Sequence, residues 1–197
     1  IVEYTAKNVK ITPVYVIPLA KKLFDGSKTV ILMSATIIEP ALFAKTLGIT
    51  DYEYIEVDSE FDPNNSPIYC SSKSKLTYAT MDVELPKVCE QVKALLDHHK
   101  DDKGIIHTHT FKITQAVRKA LSGNTRMLYR EVGVTNEDVI ASHMSSDSQD
   151  NSVIVSPSLA MGLDLVDDAG RFSIIMKTPY APMSDKRVKL LFDRNPE

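Results

Sequence analysis

Short runs of β-branched and other apolar residues alternate along this chain with longer stretches that carry apolar residues at helical spacing. Residues 29–33, 104–106 and 153–155 are runs of the first kind, and each is short enough to be a buried strand. Residues 113–121 instead place their apolar side chains on one stripe of a helix. Strands that alternate with helices form parallel sheets, because a parallel connection must cross over the sheet. The sequence therefore predicts an α/β fold: an open, mainly parallel sheet with helices on both faces.

Turn and capping signals place the other elements. One short helix is predicted at 18–24, and a second runs from Pro40 to the turn at Gly48. Thr135 and Asp138 have the spacing of a capping box, which predicts a helix that extends toward Met144. Further helices are predicted at 82–99 and 185–192, and further strands at 14–17, 54–57, 68–70 and 172–176.

The charge balance limits the partners that the chain can bind. Its 197 residues have a formal net charge of −3, so no general basic field attracts nucleic acid and any such contact must be local. Cys70 and Cys89 have no metal-ligand spacing, which fits a reducing compartment. The first residues match neither a signal peptide nor a membrane span. We therefore expect a soluble protein of the cytoplasm or another intracellular compartment.

Hydroxyl residues follow two of the predicted strands, at the edge where the working residues of a parallel sheet gather. Ser34, Ala35 and Thr36 follow the strand at 29–33, although Ser and Thr at a strand end also form ordinary turns. Thr110 stands between the strand at 104–106 and the next helix. Its hydroxyl and the first helix amides suit a phosphate oxygen, but the residue is also explained as an ordinary N-cap, which this stretch alone favours.

A third place of this kind covers residues 156–165. Here a strand ends in Ser156 and Ser158, and a glycine then precedes an acidic residue. Gly162 permits close approach of the backbone to a ligand, and Asp164 adds a carboxylate. The alternative is structural: Gly162 turns the chain and Asp164 caps the following element.

His107 and His109 are two residues apart, so on a strand both imidazoles would lie on the same face. Zinc sites use three or four ligands, and no third ligand stands near this pair in the sequence. Alternation of half-buried polar residues also explains the pair. We therefore predict no metal site.

Taken in chain order, these motifs resemble the superfamily 2 DNA helicases of the XPD/DinG-like (DEAD/DEAH) branch. The shared features are Ser-Ala-Thr after a strand, a hydroxyl-bearing strand–helix junction, Ser-Pro-Ser-x-x-x-Gly-x-Asp, and a strand that ends in Lys-Thr-Pro-Tyr at 177–180. The resemblance covers most of the chain. It implies a RecA-like three-layer sheet.

The resemblance also implies a role for each motif. Motif III of that family couples nucleotide state to strand movement, motif IV and the start of motif V lie near the nucleic acid, and the end of motif V faces the nucleotide. The matching positions are Ser34, Ala35 and Thr36 for coupling, Thr110, Ser156 and Ser158 for nucleic acid, and Gly162 and Asp164 for the nucleotide.

Several parts of such a helicase are missing from this sequence. It contains no Gly-x-x-x-x-Gly-Lys-Ser/Thr phosphate loop, no Asp-Glu-Ala-His type motif and no arginine-bearing motif VI, and Met161 replaces the usual acidic residue before the motif V glycine. The resemblance therefore implies that residues 1–48 are the tail of a first RecA-like domain. Residues 49–197 would be most of the second, truncated before motif VI.

The expected function follows from this resemblance. The chain would be the C-terminal part of an ATP-dependent helicase that uses ATP and Mg²⁺ to translocate on single-stranded DNA, or on RNA, together with the missing N-terminal RecA-like domain. Alone, it would bind no ATP and have no activity. The alternative is a RecA-like module without catalysis that binds nucleic acid or protein.

Overall fold

The structure of the protein, a computed structural model, describes residues 1–70, 74–145, 151–159 and 163–194. The chain forms two compact units, the first made of Ile1–Pro67 with Tyr180–Glu197 and the second of Ile68–Pro179. The expected boundary after Gly48 separates two RecA-like domains of a helicase, and it remains a prediction.

The described residues form short strands and helices in alternation. The strands are β1 (Val2–Tyr4), β2 (Val9–Ile11), β3 (Gly104–His107), β4 (Met127–Tyr129), β5 (Val153–Ser156) and β6 (Phe172–Ile175). The helices are α1 (Ile17–Phe24), α2 (Pro40–Leu47), α3 (Met81–His98), α4 (Phe111–Ala120), α5 (Asn136–Met144) and α6 (Lys186–Arg194). Within the described ranges, no helix combines the length and apolar composition needed to cross a membrane.

The second unit is built on a four-stranded sheet in the order β4-β5-β3-β6, and every neighbouring pair in it is parallel. Gly104 pairs with Val153 on one side and with Phe172 on the other, so β3 is an inner strand. The predicted fold class is confirmed: the unit is an open parallel α/β sheet, consistent with a RecA-like domain. β4 has no counterpart among the predicted strands.

Helices cover both faces of this sheet, as predicted. On one face α3 and α4 pack their apolar stripes onto Ile106 and Val153, whose side chains are completely buried. On the other face Val139 of α5 packs with Ile105 and Ile154. Full burial of a side chain of this size contributes about 1.5–3 kcal/mol. The packing of helices on both faces therefore holds the strands of the sheet in place.

β3 and β6 come unusually close together at Gly104. A Cβ atom at this position would lie 2.5 Å from the backbone oxygen of Phe172 and 2.7 Å from its ring. Real Cβ atoms do not approach other atoms this closely, and the contact with the backbone oxygen could be relieved only by movement of the backbone. The Phe172 ring also stacks on His99, with the ring centroids 4.7 Å apart. Glycine is therefore required at the start of β3.

Arg126 ties the amino end of the sheet together. Its guanidinium donates four hydrogen bonds to backbone carbonyls, at 2.8–3.2 Å, and the acceptors are the carbonyls of Leu96, His99, Asp102 and Asn151. The first two acceptors lie at the end of α3, where the last helical carbonyls have no partner within the helix. One side chain thus joins the α3 terminus to the segments that enter β3 and β5.

The first unit contains the antiparallel hairpin β1–β2 with α1, α2 and α6. Glu3 lies 3.2 Å from Lys186 of α6, and Lys10 is 4.0 Å away on the opposite strand. The helix predicted up to Gly48 is confirmed: Gly48 has φ 71°, and its N–H donates to carbonyls in the last turn of α2. The hairpin has no counterpart among the predicted elements.

Four predicted strands are wrong. Residues 14–16 lead into α1, which begins at Ile17, and residues 29–33, 54–57 and 68–70 form no strand. Their side chains are largely exposed; Ile31 and Met33, for example, are 78% and 88% exposed. Apolar β-branched residues favour a strand only where a neighbouring strand can satisfy the backbone, and the described residues provide no such neighbour here.

Candidate functional site

The candidate site lies at the carboxyl edge of the second unit's sheet, where β3 and β5 end side by side. His107 pairs with Ser156 in the parallel register. One residue further on, the N–H of Thr108 donates to the carbonyl of Ser156 at 3.0 Å. The segments that carry Thr110 and Ser158 therefore leave the sheet at neighbouring positions. The structure brings these predicted residues to one edge, as their places after buried strands indicate.

Thr110 is the N-cap of α4. Its backbone is extended, with φ −147° and ψ 148°, and its hydroxyl oxygen accepts the N–H of Ile113 at 3.2 Å. The structural alternative considered for this residue is therefore confirmed. Contact between Thr110 and nucleic acid stays a prediction, and the hydroxyl can make it only through its remaining donor and acceptor capacity.

The hydroxyls of Thr108 and Thr114 form hydrogen bonds next to this cap. Thr108 is completely buried, and its hydroxyl lies 2.6 Å from that of Thr114 in the first turn of α4. The Thr114 hydroxyl donates to the carbonyl of Thr110 at 3.1 Å, so its oxygen is left to accept from Thr108. Thr114 is absent from the predicted site. The signal that could have found it is its position one helical turn after Thr110.

The two serines after β5 have different surroundings. Ser156 is buried, and its hydroxyl oxygen accepts the backbone N–H groups of Ser158 and Leu159, both at 3.2 Å. Ser158 is exposed. Ser156 therefore shapes the turn, and Ser158 is the serine that is exposed to solvent.

Of the remaining predicted site residues, three belong to the first unit and two follow β5 in the sequence. Gly162 lies outside the described residues. Asp164 is exposed, in the irregular segment before β6. Ser34, Ala35 and Thr36 belong to the first unit and are exposed; the Ser34 hydroxyl accepts the N–H of Thr36 at 3.2 Å, which is a local turn.

His107, the last residue of β3, stacks with His109 in the turn before α4. Their ring centroids are 6.1 Å apart, and the ring planes differ by 20°. Burial lowers the pKa of His107 below its ordinary value, and the neighbouring His109 lowers it further. The Nε2 atom of His109 is buried and has no hydrogen-bond partner in the described parts of the chain. Nor do those parts contain a group of three or more His, Cys, Asp or Glu side chains that could hold a metal ion.

Another histidine, His143, is hydrogen-bonded to a serine at the opposite end of the sheet. The Nδ1 atom of His143 lies 2.8 Å from the hydroxyl of Ser152, the residue before β5. Its Nε2 lies 2.8 Å from the carbonyl of Ala169, so Nε2 must be the protonated nitrogen. Both side chains are buried, 0% and 5% exposed. The pair holds α5 against the sheet and is shielded from any substrate.

Comparison with known proteins adds no assignment to this geometry. No protein-family model matches the sequence, and a search of curated proteins finds no match.

Proposed function

We propose that this chain is the C-terminal part of an ATP-dependent helicase and that it contacts the backbone of single-stranded DNA, or RNA, at the carboxyl edge of its parallel sheet. The observation that carries the proposal is the placement of Thr110 and Ser158 at the neighbouring ends of β3 and β5. Ligands of open α/β sheets bind at this edge. Hydroxyls and helix amides read phosphates and not bases, so binding should be almost independent of sequence.

In this proposal, ATP binds to the complete helicase and not to this chain alone. Towards ATP and Mg²⁺ the described residues offer the exposed carboxylate of Asp164 but no cluster of metal ligands. The sequence also has no phosphate loop. These residues do not fit a nucleotide site of their own. In the proposal, the missing N-terminal RecA-like domain holds the phosphates, and bound ATP supplies the energy for translocation.

The exposed apolar segments of the first unit fit this assignment. Residues 29–33 have the composition of a buried strand, yet they are exposed and have no neighbouring strand among the described residues. In the proposal their neighbours are strands of the missing domain. Ser34, Ala35 and Thr36 would then lie at the end of a completed sheet, as motif III requires.

The test is the double variant Thr110→Ala with Ser158→Ala. We expect weak binding of a labelled oligothymidylate by the wild-type chain, on the order of 10⁻⁴ M and weaker at higher salt. The double variant should bind less tightly at low salt. Because Thr110 caps α4, the variant should also lose about 1 kcal/mol of stability. Circular dichroism therefore has to confirm that both proteins are folded at the assay temperature.

A matched control removes the same two residue types elsewhere. Ser122 and Thr125 are exposed and follow α4 at its other end. Their double alanine variant should bind like the wild type. If chemical-shift mapping instead placed the oligonucleotide on α3, with Thr110 and Ser158 unperturbed, the proposed face would be wrong.

A second candidate is a RecA-like module without catalysis. It is favoured by the local hydrogen bonds that occupy the hydroxyls of Thr110 and Ser156, since both have structural roles that need no ligand. Coding sequence next to this chain separates the two candidates. A phosphate loop upstream and a Gln-x-x-Gly-Arg-x-x-Arg element downstream are required by the helicase and not by the module.

A further inference from the structure

The turn between β3 and α4 contains two unfavourable features in one residue. His109 has φ 56°, in the left-handed region that residues other than glycine rarely adopt. The Nε2 atom of the same residue is buried without a hydrogen-bond partner in the described parts of the chain. A strained backbone and an unsatisfied buried nitrogen both cost free energy of folding. The N-cap hydrogen bond of α4 and the register of β3 with β5 are made by other residues.

The left-handed conformation of His109 also occupies a neighbouring amide. The N–H of Thr110 donates across His109 to the carbonyl of Thr108, at 2.8 Å. A hydrogen bond across a single residue closes a three-residue turn, which is strained when its central residue has a positive φ. A change of His109 to an extended backbone would break this bond, free the Thr110 N–H and move the imidazole at the same time.

The basic residue closest to the turn in sequence is already paired. The ammonium group of Lys112 lies 2.7 Å from the carboxylate of Asp82 on α3. The donors that the turn itself can offer to an anion are the imidazoles of His107 and His109 and the Thr110 amide. Both histidines are half-buried; His107 is the last residue of β3, and His109 lies between Thr108 and Thr110 at the edge of the sheet.

We propose that His109 is a nucleic-acid-contacting residue. In the strand-bound state the backbone of His109 becomes extended, its Nε2–H donates to a phosphate oxygen, and the freed Thr110 N–H donates to the phosphate backbone of the same strand. The inference rests on the proposed function, which supplies the class of ligand: the phosphates of a single strand. The strain in the resting turn reduces the free energy needed for this change, since relaxation of the backbone offsets part of its cost.

Two variants distinguish the effect of the His109 imidazole from the effect of the strained His109 backbone. His109→Ala removes the imidazole but keeps a Cβ in the left-handed region, whereas His109→Gly removes both. Both should weaken binding of a fluorescein-labelled oligothymidylate about three- to tenfold at low salt, the size of one hydrogen bond to a charged group at a partly solvated position. The glycine variant should be more stable than the alanine variant, by about 2–4 °C in Tm. His98→Ala, which removes an exposed imidazole from α3, should change neither quantity.

The outcomes distinguish this inference from the function on which it rests. If the wild type binds the oligonucleotide, Thr110→Ala with Ser158→Ala weakens binding, and both His109 variants bind like the wild type, then the inference is overturned and the function stands. If the wild type does not bind at all, both fail. As a measurement that needs no variant, titration of the wild type should shift the ¹⁵N signal of His109 Nε2 and alter hydrogen exchange at the Thr110 amide. Unchanged signals with bound oligonucleotide would also overturn the inference.

Discussion

Replacing Arg126 by alanine should destabilise the second unit, although this residue lies far from the candidate site. The substitution removes four hydrogen bonds from a charged donor to the carbonyls of Leu96, His99, Asp102 and Asn151. Burial lowers the pKa of the guanidinium, and the nearby Asp101, Asp102 and Asp97 oppose that shift, so the group remains charged.

The magnitude follows from the number of bonds and from their exposure. A hydrogen bond to a charged group contributes about 1.5–3 kcal/mol where it is well shielded. Arg126 is only half-buried, so water replaces part of each bond and the four contributions are not additive. We expect a loss of about 2–4 kcal/mol in the free energy of unfolding. For a chain of this size, that loss lowers Tm by about 4–16 °C.

Thermal and urea unfolding of three variants would test this reasoning. Arg126→Lys should recover only a minor part of the loss, because one ammonium group cannot reach acceptors arranged around a planar guanidinium. Arg130→Ala removes an exposed arginine four residues away and should stay within about 0.5 kcal/mol of the wild type. If Arg126→Ala were as stable as Arg130→Ala, or if lysine restored full stability, the four-carbonyl account would be refuted.

Three further predictions concern the sheet, the histidine pair and catalysis. Gly104→Ala should cost about 2–3 kcal/mol in urea unfolding, because the new Cβ would lie 2.5 Å from the Phe172 backbone oxygen; a change below the error of the measurement would contradict the close approach. Burial lowers the pKa of His107 in the folded protein. As the pH falls through about 6.5, the unfolded chain therefore takes up a proton at His107 before the folded protein does. The contribution of His107 to the free energy of unfolding is complete above that pH and is lost on acidification. His107→Asn should flatten this dependence in urea melts at pH values on either side, and an unchanged slope would assign it to another group. The 197-residue chain with ATP, Mg²⁺ and single-stranded DNA should show no turnover above a buffer blank, and activity that survives repurification would contradict its assignment as a fragment without a hydrolytic site.

The contrast between residues 29–33 and 104–106 shows what sequence patterns can and cannot predict. Both are short apolar runs next to turn signals, and both are predicted strands. Only the second is one, because β5 and β6 provide its hydrogen-bonding neighbours. Local composition predicts that a segment is able to form a strand, whereas the neighbour is a property of the whole assembly. The helices are better predicted, since their hydrogen bonds lie within the segment and their ends carry side-chain signals such as the Thr135–Asp138 capping box.

The candidate site was predictable to the same extent. The positions of Thr110 and Ser158 follow from strand ends and parallel order, and the structure places both at one edge. The conformation of His109 could not be predicted, because the sequence there lacks the glycine or asparagine that signals a left-handed residue. Burial of its Nε2 depends on how the turn packs, which no local pattern encodes.

The strand order has a consequence for how the second unit acquires its structure during synthesis. β3 is the first strand of the sheet to leave the ribosome, yet both of its neighbours, β5 and β6, are made later, after α4, β4 and α5. Until then the apolar residues Ile105 and Ile106 have helices to pack against but no strand with which to pair. Such long-range pairing slows folding and prolongs the lifetime of an aggregation-prone intermediate. A nascent chain arrested before β5 should therefore be a substrate for chaperones, and one arrested after β6 should not.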